Sequence, residues 1–273
     1  MNMHQTGTRF LLATALLTTS LSLTTVAAWA AESAVEKGQK IAAEWDRRDQ
    51  GFGDSQSTMK MVLVNRHGDT SSRRMKQKIL EVPGHDMGDK SLTIFESPRD
   101  IKGTAFLSFA KILDPDDQWL YLPALKRVKR ISSKNKSGPF VGSEFAYEDL
   151  SAQELKKYTY KWLRDEACGD LQCFVVEQSP TYKNSGYTRT VVWYDKTEYR
   201  QRKIDYFDRK GAALKTLTFS DSQQYLGKYW RAHDLHMVNH QTGKQTRLTL
   251  SDIRFQTGLR ERDFNKNNLK RAR

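Results

Sequence analysis

Cysteine, histidine and proline are scarce in this 273-residue chain, with two, six and six copies. The short patterns that announce catalysis are missing altogether. No G-x-S-x-G, H-E-x-x-H, phosphate-cradling glycine loop or dinucleotide fingerprint occurs. His233, His236 and His240 form the one histidine cluster, and on a strand His236 and His240 share a face while His233 points the other way. A metal there would need a third ligand from elsewhere, so a solvated strand face is the simpler reading, and no metal or cofactor is expected. The carboxylate pairs Asp116-Asp117 and Glu148-Asp149 read as an acidic turn and a helix cap, not as acid–base machinery. An enzyme is therefore not expected, and a hydrolase with an unfamiliar site is the minor alternative. No Pro/Ser-rich linker, composition shift or fixed-period repeat divides the chain.

The first thirty residues read as a secretory leader. Arg9 gives the positive start, Phe10 to Leu23 an apolar, threonine-rich stretch, and Ala28-Trp29-Ala30 an A-x-A cleavage site. The apolar stretch is short for a membrane span, although an uncleaved anchor is the alternative. No cysteine near the cleavage site argues for a lipid anchor. Residues 31–273 are expected to be a single domain, soluble after cleavage and periplasmic. The net charge of +13 points to anionic partners. An anionic membrane surface or an acidic protein face fits an exported chain; nucleic acid does not. Cys168 and Cys173 flank Gly-Asp-Leu-Gln between two strand-like runs. A disulfide across a four-residue hairpin turn fits that spacing in an oxidising compartment, against free thiols or a metal pair.

Ser33 to Gln50 reads as a helix, with Ser33 and Glu36 as a capping box and Trp45 on its apolar side. It is either a helix packed on a sheet or a lid over an apolar cleft. Strand patterns then follow at hairpin spacing. Six fall between Ser57 and Ser132 and seven between Tyr158 and Arg254. Asp149 and Ser151 are candidate caps for a helical turn through Leu155. The basic tail from Arg260 carries Phe264 and Leu269 as candidate anchors. The sum is a mainly β fold: a half-open antiparallel β-barrel of about a dozen strands with the N-terminal helix on it. A barrel of that width commonly encloses a ligand.

The densest stretch runs from Trp119 to Leu150. It holds an apolar strand, the basic run Lys126, Arg127, Lys129, Arg130, Lys134 and Lys136, and a glycine-punctuated aromatic loop. The patterns W-x-Y-L-P-A-L-x-R-V-x-R-I (Trp119 to Ile131) and F-V-G-S-E-F-x-Y-E-D-L (Phe140 to Leu150), with S-P-R-D-I-K-G-T-A-F-L (Ser97 to Leu107) upstream, resemble the LolA-like outer-membrane lipoprotein-sorting proteins. More narrowly they resemble the subgroup found beside RND-type exporters. The resemblance implies a half-open barrel covered by helices, an apolar cavity for acyl chains, and a periplasmic carrier or chaperone without enzymatic activity. This chain shows one strong helix where that fold usually has several lid segments.

On that basis the expected function is transport of a lipoprotein or lipid between membranes, or to or from an inner-membrane exporter of the RND type. Met59, Met61, Leu63, Leu92, Ile94, Phe106, Leu120 and Leu122 are the expected cavity wall, with Trp45 on the gating helix. Lys126, Arg127, Lys129 and Arg130 are the expected docking residues for a partner or for anionic headgroups. A solvated edge strand guarded by charge is the competing reading of that run. The alternative for the whole chain is a periplasmic regulatory adaptor of a transporter, with no transported cargo.

Overall fold

The helix begins where its cap places it. In the computed structural model, which describes Met1 and residues 32–84 and 86–271, α1 spans Ala34–Asp49. The expected leader beyond Met1 lies outside the described residues. Ser33 Oγ accepts the Glu36 N–H (3.1 Å) and the Glu36 carboxylate accepts the Ser33 N–H (3.0 Å), which satisfies two helix-end donors. Arg47 and Arg48 sit in the last turn, where the helix dipole favours cations. Gly38 lets α1 press directly on backbone: a Cβ there would meet the Trp162 nitrogen at 2.6 Å.

The rest is strand and turn. The strands are β1 (Asp54–Val64), β2 (Thr70–Leu80), β3 (Met87–Ser97), β4 (Ala105–Lys111), β5 (Asp117–Leu122) and β6 (Arg127–Ile131). They continue as β7 (Tyr158–Cys168), β8 (Leu171–Pro180), β9 (Tyr187–Asp195), β10 (Gln201–Asp208), β11 (Ala213–Tyr225), β12 (Tyr229–Asn239) and β13 (Gln245–Phe255). All pair antiparallel in one 13-stranded sheet, ordered β6-β5-β4-β3-β2-β1-β13-β12-β11-β10-β9-β8-β7. The first and last strands therefore meet in the middle, and the two edges are β6 and β7. These are consecutive in sequence. Residues 132–157 must then cross from one edge of the sheet to the other.

That crossing strap covers the concave side. Phe140 packs on Phe106 at 5.3 Å and Phe95 at 5.7 Å between ring centroids. Glu144 reaches the far half, where its N–H donates to Thr246 Oγ1 (3.0 Å) and its carboxylate accepts from Asn239 (2.6 Å). The strap contains only short 3-10 turns, at Phe140–Gly142, Tyr147–Leu150 and Leu155–Lys157. Asp149 caps the second of these, and its carboxylate accepts the Ala146 N–H (2.7 Å). Ser151 ends that turn instead of starting one.

The C-terminal segment closes the convex face of β3–β5. Phe264 and Leu269 are each 2% exposed and pack with Leu92, Ile94, Ala105 and Leu107. Both faces of these strands are thus buried. The disulfide Cys168–Cys173 is present, with Cα atoms 5.9 Å apart. The turn it guards is tighter than the spacing suggested. Strand pairing runs through Cys168↔Leu171, leaving Gly169 and Asp170 as the turn, with Gly169 at φ +66°. Cys173 lies opposite Glu166, so the bond joins diagonal neighbours on one face.

A cavity beneath the strap

A cavity of about 1050 Å³ opens between α1, the strap and the concave sheet. Its floor follows from strand register. Met75, Met59 and Leu250 are direct cross-strand neighbours on β2, β1 and β13. A second row, Met61, Leu248, Leu235 and Phe219, runs from β1 through β13 and β12 to β11. All of these line the cavity. Phe140 and Phe145 of the strap form part of its wall, and Trp45 approaches from α1, 6.0 Å from the Tyr194 ring.

Trp45, Met59 and Met61, expected on the wall, do line the cavity. Leu63, Phe106, Leu120 and Leu122 face the same concave side but are packed into the main core around the cavity, Phe106 and Leu120 fully buried. Leu92 and Ile94 are a correction. They lie on the convex face, 4% and 3% exposed, under the C-terminal segment. Period-two alternation then turns Asp89, Ser91 and Thr93 of β3 toward the cavity. Apolar character alone points these residues inward; the segment that covers the other side comes from the far end of the chain.

The basic run is divided in the same way. β6 is an edge strand, and Lys126, Arg127, Lys129 and Arg130 are all exposed. Arg127 and Lys129 lie opposite Leu122 and Leu120, whereas Arg130 lies opposite Trp119 on the convex side and pairs with Asp117. Lys126 ends a 3-10 turn at φ +49°. The four cations therefore point to both faces of one edge and form no single patch.

The Glu148-Asp149 pair has a structural use that the sequence did not disclose. Glu148 accepts from Tyr182 Oη (2.6 Å), Ser185 Oγ (2.5 Å) and the Gly186 N–H (2.9 Å). Asp149 accepts from Tyr187 Oη (2.7 Å) and Lys215 Nζ (2.6 Å). Lys215 also donates to the Glu144 carbonyl (2.8 Å). Burial beside the Asp149 carboxylate pushes the Tyr187 hydroxyl well above its usual pKa, which keeps it a donor. The two acids thus bolt the strap to β9 and β11.

The cavity mouth is acidic. Asp46, Asp49, Glu81, Asp89 and Glu154 all line it. Burial, and then the neighbouring carboxylates Glu81, Glu154 and Asp49, push Asp89 up to about 7 against the bond from the Val82 N–H. Burial also raises Asp46, Asp49 and Glu154. The signal for this ring is three-dimensional, because its members come from α1, the β2–β3 connection, β3 and the strap.

The histidines engage strand neighbours: His233 with Tyr225 (2.7 Å), His236 with Gln245 (2.9 Å) and His240 with Thr216 (2.8 Å). Among the described residues no group of three or more His, Cys, Asp or Glu is placed to hold a metal. No helix among them is long and apolar enough to cross a membrane.

With this geometry in view, the chain resembles several known proteins. A family model described as "uncharacterized protein" matches residues 87–271. Among solved structures, an outer membrane lipoprotein-sorting protein domain from Vibrio parahaemolyticus is 61% identical. The match covers 86% of this chain and 99% of that one, with a TM-score of 0.84. A DUF1329 family protein from Desulfovibrio piger is 29% identical, with 87% and 99% covered and a TM-score of 0.82. A LolA superfamily protein from Nitrosomonas europaea shares the fold at 20% identity, with 84% and 98% covered and a TM-score of 0.67. No curated protein matches.

Proposed function

The chain belongs to the family of the outer membrane lipoprotein-sorting protein domain with which it is 61% identical, and it shares the fold of a LolA superfamily protein; from that premise we propose that it is a periplasmic carrier of acyl chains that performs no chemical step. The observation that carries the reading is the cavity of about 1050 Å³, whose floor is methionine, leucine and phenylalanine across five adjacent strands from β2 to β11. That volume lies at the upper end of small-molecule sites. Burial of each CH₂ favours binding by about 0.8 kcal/mol, so a chain of about a dozen carbons supplies roughly 10 kcal/mol before the cost of ordering it.

On this reading the cargo is a lipid or the acylated end of a lipoprotein. Trp45 on α1 and Phe140 and Phe145 on the strap separate it from water. Shuttling between membranes follows from sequestering chains that water would otherwise aggregate. An inner-membrane exporter would meet the β6 edge, where Lys126, Arg127 and Lys129 are exposed without an ion pair among the described residues. An acidic transporter face or anionic headgroups suit those cations.

Native mass spectrometry followed by lipid extraction tests the carrier reading. An acyl species bound one per chain is expected. Protein that emerges empty, and that takes up no acyl compound afterwards, would replace the carrier with the cargo-free adaptor.

A further inference from the structure

The cavity walls differ in chemistry. Beside the methionine and leucine floor, β3 turns Asp89, Ser91 and Thr93 toward the cavity. Gln77 lies beside Thr93 on β2, and Ser108 lies beside Ser91 on β4. Both line the same space. Thr93 is only 5% exposed and lines the cavity. Gln201 of β10 lines the cavity as well, and its buried Nε2 has no hydrogen-bond partner among the described residues. Buried polar groups are normally satisfied, and an unsatisfied one facing an open cavity implies a guest that supplies the bond.

At the top of this stripe the carboxylates converge. Gly88 leaves that space open: a Cβ there would lie 1.9 Å from Glu154 Oε1, so any larger residue would displace the Glu154 carboxylate from beside Asp89. Arg231 pairs with Asp49, and Lys157 with Asp116. Among the other cations that line the cavity, Lys136 sits over the Tyr182 ring and Lys156 makes no ion pair with a described residue. Glu81 accepts the N–H groups of Gly51 (2.6 Å) and Gly53 (2.8 Å). Asp89 has no cation acting on it, and Glu154 makes no ion pair among the described residues, with Lys157 its nearest positive charge. A negative mouth in a chain of net charge +13 is a local reversal of the whole-protein field.

We infer that the amphiphile held in this cavity has a positively charged head, seated between Asp89 and Glu154, and a hydrogen-bonding linkage of the ester or amide type lying along Ser91, Thr93 and Gln77. This rests on the carrier reading and names the class of cargo. An anionic head would face the carboxylates of Asp89 and Glu154, which make no ion pair, whereas a cationic one would complete them.

Equilibrium binding of three dodecyl compounds below their micelle concentrations separates the possibilities at pH 8. The probes are dodecyltrimethylammonium, dodecyl maltoside and dodecanoate. The cation is expected to bind at least tenfold more tightly than dodecanoate, against the attraction that the chain's net charge exerts on anions. In Asp89→Asn/Glu154→Gln the ratio should fall to within about threefold while maltoside affinity stays unchanged. Equal or tighter binding of dodecanoate to the native chain would overturn the inference, as would a preference that survives in the double variant. If none of the three binds, the carrier reading itself falls. Thr93→Val reads the linkage: it should weaken an N-dodecanoyl amide severalfold and leave dodecyltrimethylammonium unaffected, and equal effects on both would remove the stripe from the site.

Discussion

Asp149 and Lys215 form an ion pair of 2.6 Å with side chains only 3% and 4% exposed. It joins the strap to β11, and so joins the two halves of the sheet across the cavity. Removing one partner leaves an uncompensated buried charge, which typically costs 3–5 kcal/mol. Asp149→Ala and Lys215→Met should each lower stability by about 3–5 kcal/mol in urea denaturation. Asp149→Ala also releases Tyr187 and the Ala146 N–H, so it should be the worse of the two. A loss under about 1 kcal/mol for both would mean that the strap is anchored elsewhere.

Much of the sheet could be read from the chain because hairpins leave local marks. Asn65 accepts the backbone N–H groups of His67 and Asp69 in its turn, and Asp208 does the same for Lys210 and Ala212. These turns set strand boundaries from within four or five residues. The Ser33–Glu36 box did so for α1. Face assignment was not local. Alternation in β3 says that Leu92 and Ile94 share a side, but inwardness depends on Phe264 and Leu269 from the far end of the chain. The strap was equally hidden, since its aromatic loop carries no helix period. Its path follows only from the placement of β6 and β7 at opposite edges.

The two faces of the sheet can be told apart by substitution. Leu235 and Leu250 line the cavity and are only half-buried. Leu235→Trp and Leu250→Trp should fill the cavity, reducing acyl-ligand affinity at least tenfold with little change in the thermal midpoint. Leu92→Ala should do the reverse. It removes a buried side chain on the convex face, at about 2–5 kcal/mol, and leaves affinity intact in the folded protein. Calorimetric binding with paired denaturation checks both. Loss of binding in Leu92→Ala at temperatures where it is fully folded would contradict the placement.

Asp89 gives the ligand-free chain a stability term with a definite sign. Its folded pKa of about 7 exceeds the unfolded value of about 3.9. Between these values the folded state holds a proton that the unfolded state has lost. The contribution is therefore full below about pH 4 and is lost as pH rises through 7. Glu81, Glu154 and Asp49 face the group, and of the cations lining the same cavity Lys157 and Arg231 are paired with Asp116 and Asp49. Asp89→Asn should match the native chain near pH 4 and exceed it by ~2 kcal/mol at pH 8, a figure reduced from about 1.4 kcal/mol per pH unit because water reaches the mouth. A difference that does not change between pH 4 and pH 8 would show that Asp89 ionises normally.

Gly38 sets two known effects against each other. Alanine in a helix interior is favoured over glycine by about 1 kcal/mol, so Gly38→Ala should stabilise α1 in isolation. In the folded chain the added methyl would meet the Trp162 nitrogen at 2.6 Å and the Lys161 backbone at 2.8 Å. Those atoms belong to β7, whose pairing with β8 leaves them little freedom to retreat. Overpacking of this kind costs about 1–3 kcal/mol and should win. The expected result is a net loss of about 1–2 kcal/mol, with faster amide exchange along α1. Trp45 would shift with the helix, so its fluorescence should report the displacement and acyl-ligand affinity should fall. A more stable Gly38→Ala protein with unchanged exchange in α1 would show that the helix does not sit against β7 so closely.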